Sequence, residues 1–307
     1  MNTSPPTLKN GQQTQALLPW PALMQAIGQA AREMRQGLIQ APARQAVPFP
    51  EGGTLLSMPA TAADLGVHKL VNVVTTNRER GLPTIHGMVS VYDGHTGELR
   101  LMLDGPTVTT RRTVAVSMLG LSHLLPDGPR HAVIFGTGTQ ARGHALALCD
   151  LYPDVRISII GRTPAQTESF TAQLGRPRIQ ATRSVPDSAD VVITATTSAV
   201  PVYGLPARPG RMLIAVGAYR ADLAEIGAAT LLGSRLYVDE REGARHEAGD
   251  YLQAGVPWER VHDLLDLLDA APPGEPCVLK TVGCAAWDLA AARCAVAQQR
   301  ERQGSSS

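Results

Sequence analysis

The sequence predicts an α/β fold in two parts: a doubly wound parallel sheet over the middle of the chain, and an α+β domain assembled from its two ends. Three observations predict it. Short runs with partial alternation fill residues 53–103. From residue 131 onward, apolar β-forming runs alternate with helical or loop segments. A glycine-rich turn joins the first of those runs to an apolar-periodic helix.

In chain order, residues 1–15 are polar and read as loose. Trp20 to Leu38 carries Leu23, Ile27, Ala30, Ala31 and Met34 at helical spacing, an amphipathic helix. The runs at 54–60, 68–74, 84–93 and 98–104 are separated by turn signals, notably Arg80 to Pro83 and Asp93 to Gly97. They predict a largely antiparallel sheet. Thr107 to Leu125 reads as a helix whose threonine-rich start can cap it and whose small residues allow close packing.

The stretch His131 to Thr163 carries the most chemistry. Ala132 to Phe135 forms a strand that ends on Gly136, Thr137, Gly138, Thr139, Gln140 and Ala141, a GxGxxA turn. Gly136 permits the tight turn, and Gly138 lets a pyrophosphate approach the backbone at the positive end of the following helix. Ala141 is small enough for close packing of helix on strand. The helix runs through Leu148, and a second strand follows at Val155 to Ile160. The middle domain is therefore Rossmann-type, and a nicotinamide enzyme is the leading hypothesis. Where a site for NAD would offer an acid to the ribose, this chain has Arg162 and Thr163. Arg162 suits a 2′-phosphate, so NADPH is favoured over NADH; the alternative is a solvated loop arginine.

Beyond the turn, 191–198, 212–218 and 235–240 are buried-strand candidates. The end, from Cys277, starts as a strand or loop and becomes an alanine-rich helix with a polar tail. The expected divisions are 1–113, a nucleotide domain over 114–286, and 287–307 returning to the first domain.

The length of 307 residues and 44% hydrophobic content suffice for two ordinary cores. A net charge of +1 without a dense basic run argues against nucleic acid. The four cysteines form no CxxC pair and the histidines no HExxH spacing, so no metal site is expected. No signal-peptide pattern or membrane span is present, which places the protein in the cytoplasm.

Lys69, Gly81 to Thr84, Thr109 to Thr113, Gly136 to Ala141, Thr194 to Ser198 and Lys280 to Gly283 occur together and in this order. This set resembles the ornithine cyclodeaminase/mu-crystallin family over nearly the whole chain. The resemblance implies a dinucleotide-binding domain and a separate substrate domain that also forms a homodimer. Cyclodeaminases carry an aspartate where this chain has Ala218, and a glutamate is also missing from Thr54 to Ser57. The segment Ala215 to Asp222 and the ending from Lys280 look most similar to reductases of Δ1-pyrroline-2-carboxylate and Δ1-piperideine-2-carboxylate, which make L-proline and L-pipecolate.

Arg44 matches the family's carboxylate-binding arginine, and its planar fork suits that group. Lys69 sits among apolar strand residues, and a lysine facing inward there needs an anionic partner. The resemblance supplies the substrate carboxylate, while the alternative is an outward lysine. Arg112 would bridge substrate and cofactor, leaving Arg111 to solvent or a carboxylate. The resemblance further implies cofactor contacts from Thr84, Arg112, Thr113, Gly138, Thr139, Arg162, Thr163, Thr196, Val216, Gly217 and Thr281, with Gly136 and Gln140 in the turn and Val282 on the substrate side. Thr196 has a plainer reading as a strand residue. Lys69 and Arg112 would carry the catalysis by positioning. The proton would come from an ordered water or from solution, and His86 is read either as an acid or as structural. Competing readings are an open-chain amino-acid dehydrogenase or imine reductase, a cyclodeaminase, and a non-catalytic NADPH-dependent ligand-binding protein.

Overall fold

In the computed structural model, which describes residues 6–269 and 274–304, the chain forms two compact units. One comprises 1–115 with 284–307, the other 116–283; the sequence reading put the divisions at 113/114 and 286/287.

The first unit is built on six strands: β1 (Thr7–Leu8), β2 (Gln45–Pro48), β3 (Thr54–Thr61), β4 (Leu65–Val73), β5 (Ile85–Asp93) and β6 (Leu99–Asp104). Their order is β1-β6-β5-β4-β3-β2, antiparallel except where β1 joins β6 in parallel. Alternation divides the faces. Met58, Ala60, Val67, Lys69, Val71, Val89 and Val91 are buried. The helices of this unit include α1 (Gly11–Ala16), α2 (Trp20–Arg35) and α10 (Ala285–Gly304), and α10 packs on α2, β3 and β4. The opposite face presents Val47 and Leu70 to solvent, 55% and 42% exposed.

Two expectations need correction here. Residues 7–16 are not loose: Asn10 and Gln13 cap α1 reciprocally, a device that polar composition conceals. Residues 1–5 lie outside the described residues, as does the tail beyond 304. The helix expected to reach Leu38 stops at Arg35, because Gly37 turns left-handed at φ +71°.

Helix α3 (Gly105–Leu124) carries the division between the units. Its cap is Asp104 rather than a threonine, since Asp104 Oδ2 accepts from the Thr107 amide at 2.9 Å. A Cβ on Gly120 would lie 2.5 Å from Leu279, so the small residue does allow close packing.

The second unit alternates β7 (His131–Phe135), α4 (Thr139–Leu151), β8 (Arg156–Ile160), α5 (Pro164–Leu174), β9 (Ile179–Ala181), β10 (Val191–Thr194) and β11 (Met212–Ala215). It continues through α6 (Ala228–Leu232), β12 (Arg235–Val238), α7 (Arg241–Glu247), α8 (Gly249–Gln253), β13 (Val261–His262), α9 (Leu264–Asp269) and β14 (Cys277–Lys280). All eight strands are parallel, in the order β9-β8-β7-β10-β11-β14-β12-β13. The order runs one way from β7 through β8 and the other way from β10 through β11. That reversal makes the sheet doubly wound, and ligands of such sheets bind outside the carboxyl ends of the strands at the reversal. The turn at Gly136 lies at that point.

Candidate active site

Within the nucleotide unit, Gly136 holds φ +116°, and a Cβ there would fall 2.4 Å from the Ala195 carbonyl oxygen. Only glycine fits. Gly138 is the N-cap residue of α4; no side chain caps the helix, and a Cβ would meet nothing within 4 Å. Open space therefore lies against the helix start, where a phosphate would be favoured. Ala141 is fully buried, and the Gln140 Oε1 is a buried oxygen without a hydrogen-bond partner among the described residues. Thr139 is exposed beside the turn. These residues fit a dinucleotide.

Arg162 and Thr163 are exposed at the end of β8. The Thr163 hydroxyl accepts from the Gln166 amide at 3.3 Å, capping α5. Its hydrogen can still be donated.

The strands at 191, 212 and 235 stop earlier than their apolar runs suggest, and for the first two the reason is identifiable. The Thr196 amide donates to Glu225 Oε1 at 2.6 Å and its hydroxyl to the same oxygen at 2.8 Å. The amides of Gly217 and Ala218 donate to Glu225 Oε2 at 2.6 and 3.2 Å. Carboxylate oxygens thus replace the next rungs of the ladder. Thr196 accordingly lies beyond its strand, with its hydroxyl engaged by Glu225. Asp239 does the same for the loop after β14, accepting from the Val282 and Gly283 amides at 2.8 Å each. Val216, Thr281 and Val282 are buried, Val282 within this unit's core.

In the first unit, Lys69 is 1% exposed on β4 and meets the fully buried Asp288 of α10 at 2.7 Å. Arg112 leans on the same carboxylate, with Nε 3.6 Å from Oδ1. Burial, and then Arg112 and Arg44, lower Lys69 to about 8 against the pull of Asp288. Arg44, Lys69 and Arg112 therefore form one positive cluster. Arg44 stands just before β2, partly buried.

The anionic partner of Lys69 thus includes a residue of the chain itself, which sequence reasoning missed. The signal was present: Asp288 stands alone in the apolar run Cys284 to Ala292, and a carboxylate there needs a buried cation. Arg111 does point away from Arg112, but to neither solvent nor a carboxylate. It donates to the Leu18 carbonyl at 2.7 Å and stacks 3.6 Å over Trp20. Thr84 precedes β5, its carbonyl accepting from Val74 at 2.8 Å, and Thr113 is buried beside Arg112. His86 is exposed, on the face of the sheet opposite Lys69.

The ornithine cyclodeaminase/mu-crystallin profile matches residues 7–301. The chain is 48% identical over 300 residues to a Δ1-pyrroline-2-carboxylate/Δ1-piperideine-2-carboxylate reductase of Azospirillum brasilense, covering 95% of this chain and 96% of that protein. It is 49% identical to Δ1-pyrroline-2-carboxylate reductase 2 of Burkholderia ambifaria, covering 92% and 93%. Among solved structures, the Δ1-pyrroline-2-carboxylate reductase of Thermococcus litoralis, in complex with NADH and L-proline, superimposes with a TM-score of 0.85 at 23% identity, covering 96% and 98%. That last likeness shows the fold.

Proposed function

This chain belongs to the ornithine cyclodeaminase/mu-crystallin family, and on that premise we propose that it is an NADPH-dependent reductase of cyclic imino acids. It takes Δ1-pyrroline-2-carboxylate to L-proline and Δ1-piperideine-2-carboxylate to L-pipecolate. The observation that carries the reading is the positive cluster of Arg44, Lys69 and Arg112, in a chain so similar to two reductases of these compounds.

The cluster receives the substrate's single carboxylate. Lys69 supplies a point charge held by Asp288, and the arginines supply planar forks. The Gly136 to Ala141 turn would hold the pyrophosphate of the cofactor, and Arg162 and Thr163 would receive its 2′-phosphate. The family resemblance further assigns cofactor contacts to Thr84, Arg112 and Thr113 in the first unit and to Thr196, Val216, Gly217 and Thr281 in the second, with a substrate-side contact for Val282. When bound, the nicotinamide supplies a hydride to the imine carbon, which is most electrophilic when its nitrogen is protonated. Ala218 offers no acid, so the proton comes from an ordered water or from solution. The protein's own contribution is orientation and charge.

We further assign a cytoplasmic location, supported by four cysteines that form no disulfide among the described residues, and a homodimer, supported by the exposed Val47 and Leu70 on one sheet face. Among the described residues no helix is long and apolar enough to cross a membrane.

The test is NADPH oxidation by the purified protein with each cyclic imine, with pyruvate plus ammonia and ornithine alongside. Turnover of either cyclic imine well above the open-chain pair supports the reading. Preferential use of pyruvate and ammonia, or release of ammonia from ornithine, refutes it.

A further inference from the structure

Glu225 has no part in the chemistry above, yet it is a heavily hydrogen-bonded carboxylate at the carboxyl edge of the parallel sheet. It is fully buried and accepts from four donors in two loops: the amide and hydroxyl of Thr196 after β10, and the amides of Gly217 and Ala218 after β11. Those loops touch backbone to backbone, for a Cβ on Gly217 would lie 1.8 Å from the Thr196 carbonyl oxygen. Glu225 is itself anchored from below. Its amide and that of Ile226 donate to Asp250 Oδ1 at 2.5 and 2.8 Å, and Asp250 Oδ2 pairs with the buried Lys280 Nζ at 2.9 Å. Lys280 directly precedes Thr281.

We infer that Glu225 is a positioning residue for the cofactor: by bridging the ends of β10 and β11 it sets the loops bearing Thr196, Val216 and Gly217 at the spacing a nicotinamide nucleotide requires. The inference rests on the reading that this chain binds such a cofactor. Four donors converge on the group, two on each oxygen, an arrangement that a carboxylate satisfies on both oxygens. Its neighbours Asp250 and Lys280 fix its height relative to the strand ends, so the loops cannot drift without breaking a buried ionic network.

Glu225→Gln keeps the shape but turns an amino group toward one pair of donors, which unfastens one loop while leaving the other held. Titration of NADPH fluorescence should show about a tenfold weaker Kd, with KM for NADPH rising alongside it and KM for the cyclic imine within twofold of the unmodified protein. A merely structural role would lower Tm and the active fraction but leave the Kd of the folded protein unchanged, and that result overturns the inference. Should Glu225→Gln fail to fold, Glu225→Asp, which retains the charge but cannot span both loops, is read by the same titration and criteria. If the unmodified protein binds NADPH but reduces no cyclic imine, the reductase reading fails while the titration still decides the role of Glu225. If it binds neither NADPH nor NADH, the inference falls with the cofactor.

Discussion

Replacing Asp288 by asparagine should move the alkaline limb of kcat/KM for the cyclic imine to lower pH. Lys69 Nζ and Asp288 Oδ2 lie 2.7 Å apart and both are buried. At an effective dielectric of about 20, a full charge pair at that distance interacts by about 6 kcal/mol. Burial and the two arginines act in the opposite direction and leave Lys69 at about 8, below its ordinary 10.5. Asparagine removes the carboxylate charge and leaves every depressing influence in place. Opposite charges shift such groups by about 1–3 pH units, and the limb should fall by that amount. The sign follows from the charged form: only the ammonium attracts the substrate carboxylate, so activity is present below the pKa of Lys69 and lost as pH rises through it. Because kcat/KM reports the free enzyme, the limb of the unmodified protein should sit near 8. The assay is kcat/KM across about pH 6 to 10, with Lys69→Arg as the control, since a guanidinium does not titrate there. A limb that stays in place in Asp288→Asn, or persists in Lys69→Arg, refutes the assignment.

Arg162→Ala should weaken NADPH by about tenfold while leaving NADH nearly unchanged, because only NADPH carries the phosphate that the guanidinium would hold; equal loss for both, measured by fluorescence titration, removes Arg162 from the phosphate site. Gly136→Ala should destabilise the nucleotide unit, at a cost of about 1–3 kcal/mol for the left-handed backbone with the clash at the Ala195 carbonyl added. An unchanged Tm would show that the turn tolerates a side chain.

Periodicity and turn chemistry are local, and they were legible: the antiparallel strands, the glycine turn, and the parallel runs in the middle of the chain. The place of β14 was not. It enters the sheet between β11 and β12 although both precede it in sequence, and such insertion depends on which buried edges meet. The capping pair Asn10 and Gln13 was legible in principle but obscured by its polar surroundings. The three cations of the candidate site were named from the sequence, because each is a charge in an unusual place or at a matching motif position. Asp288 was missed although it stands alone in an apolar run; Glu225, Asp239 and Asp250 were not legible, since their roles show only when the amides or cations they receive are brought to them. Lys280 carried the same signal as Lys69, a lysine inside an apolar strand, and its partner Asp250 lies across the fold.

The bond between Lys69 and Asp288 joins residues 219 positions apart, and this has a consequence for the newly made chain. The six-stranded sheet is encoded early, but α10, which covers its apolar face and neutralises its buried lysine, is encoded after the nucleotide unit. A ribosome must release the whole of the continuous nucleotide unit before that helix emerges. The nucleotide unit can therefore settle first, while the sheet waits with an uncovered hydrophobic face and a lysine lacking this carboxylate. Truncation just before Ala285 would leave the enzyme with its dinucleotide turn encoded intact and its other half unfinished, a species for chaperones and proteases rather than for catalysis.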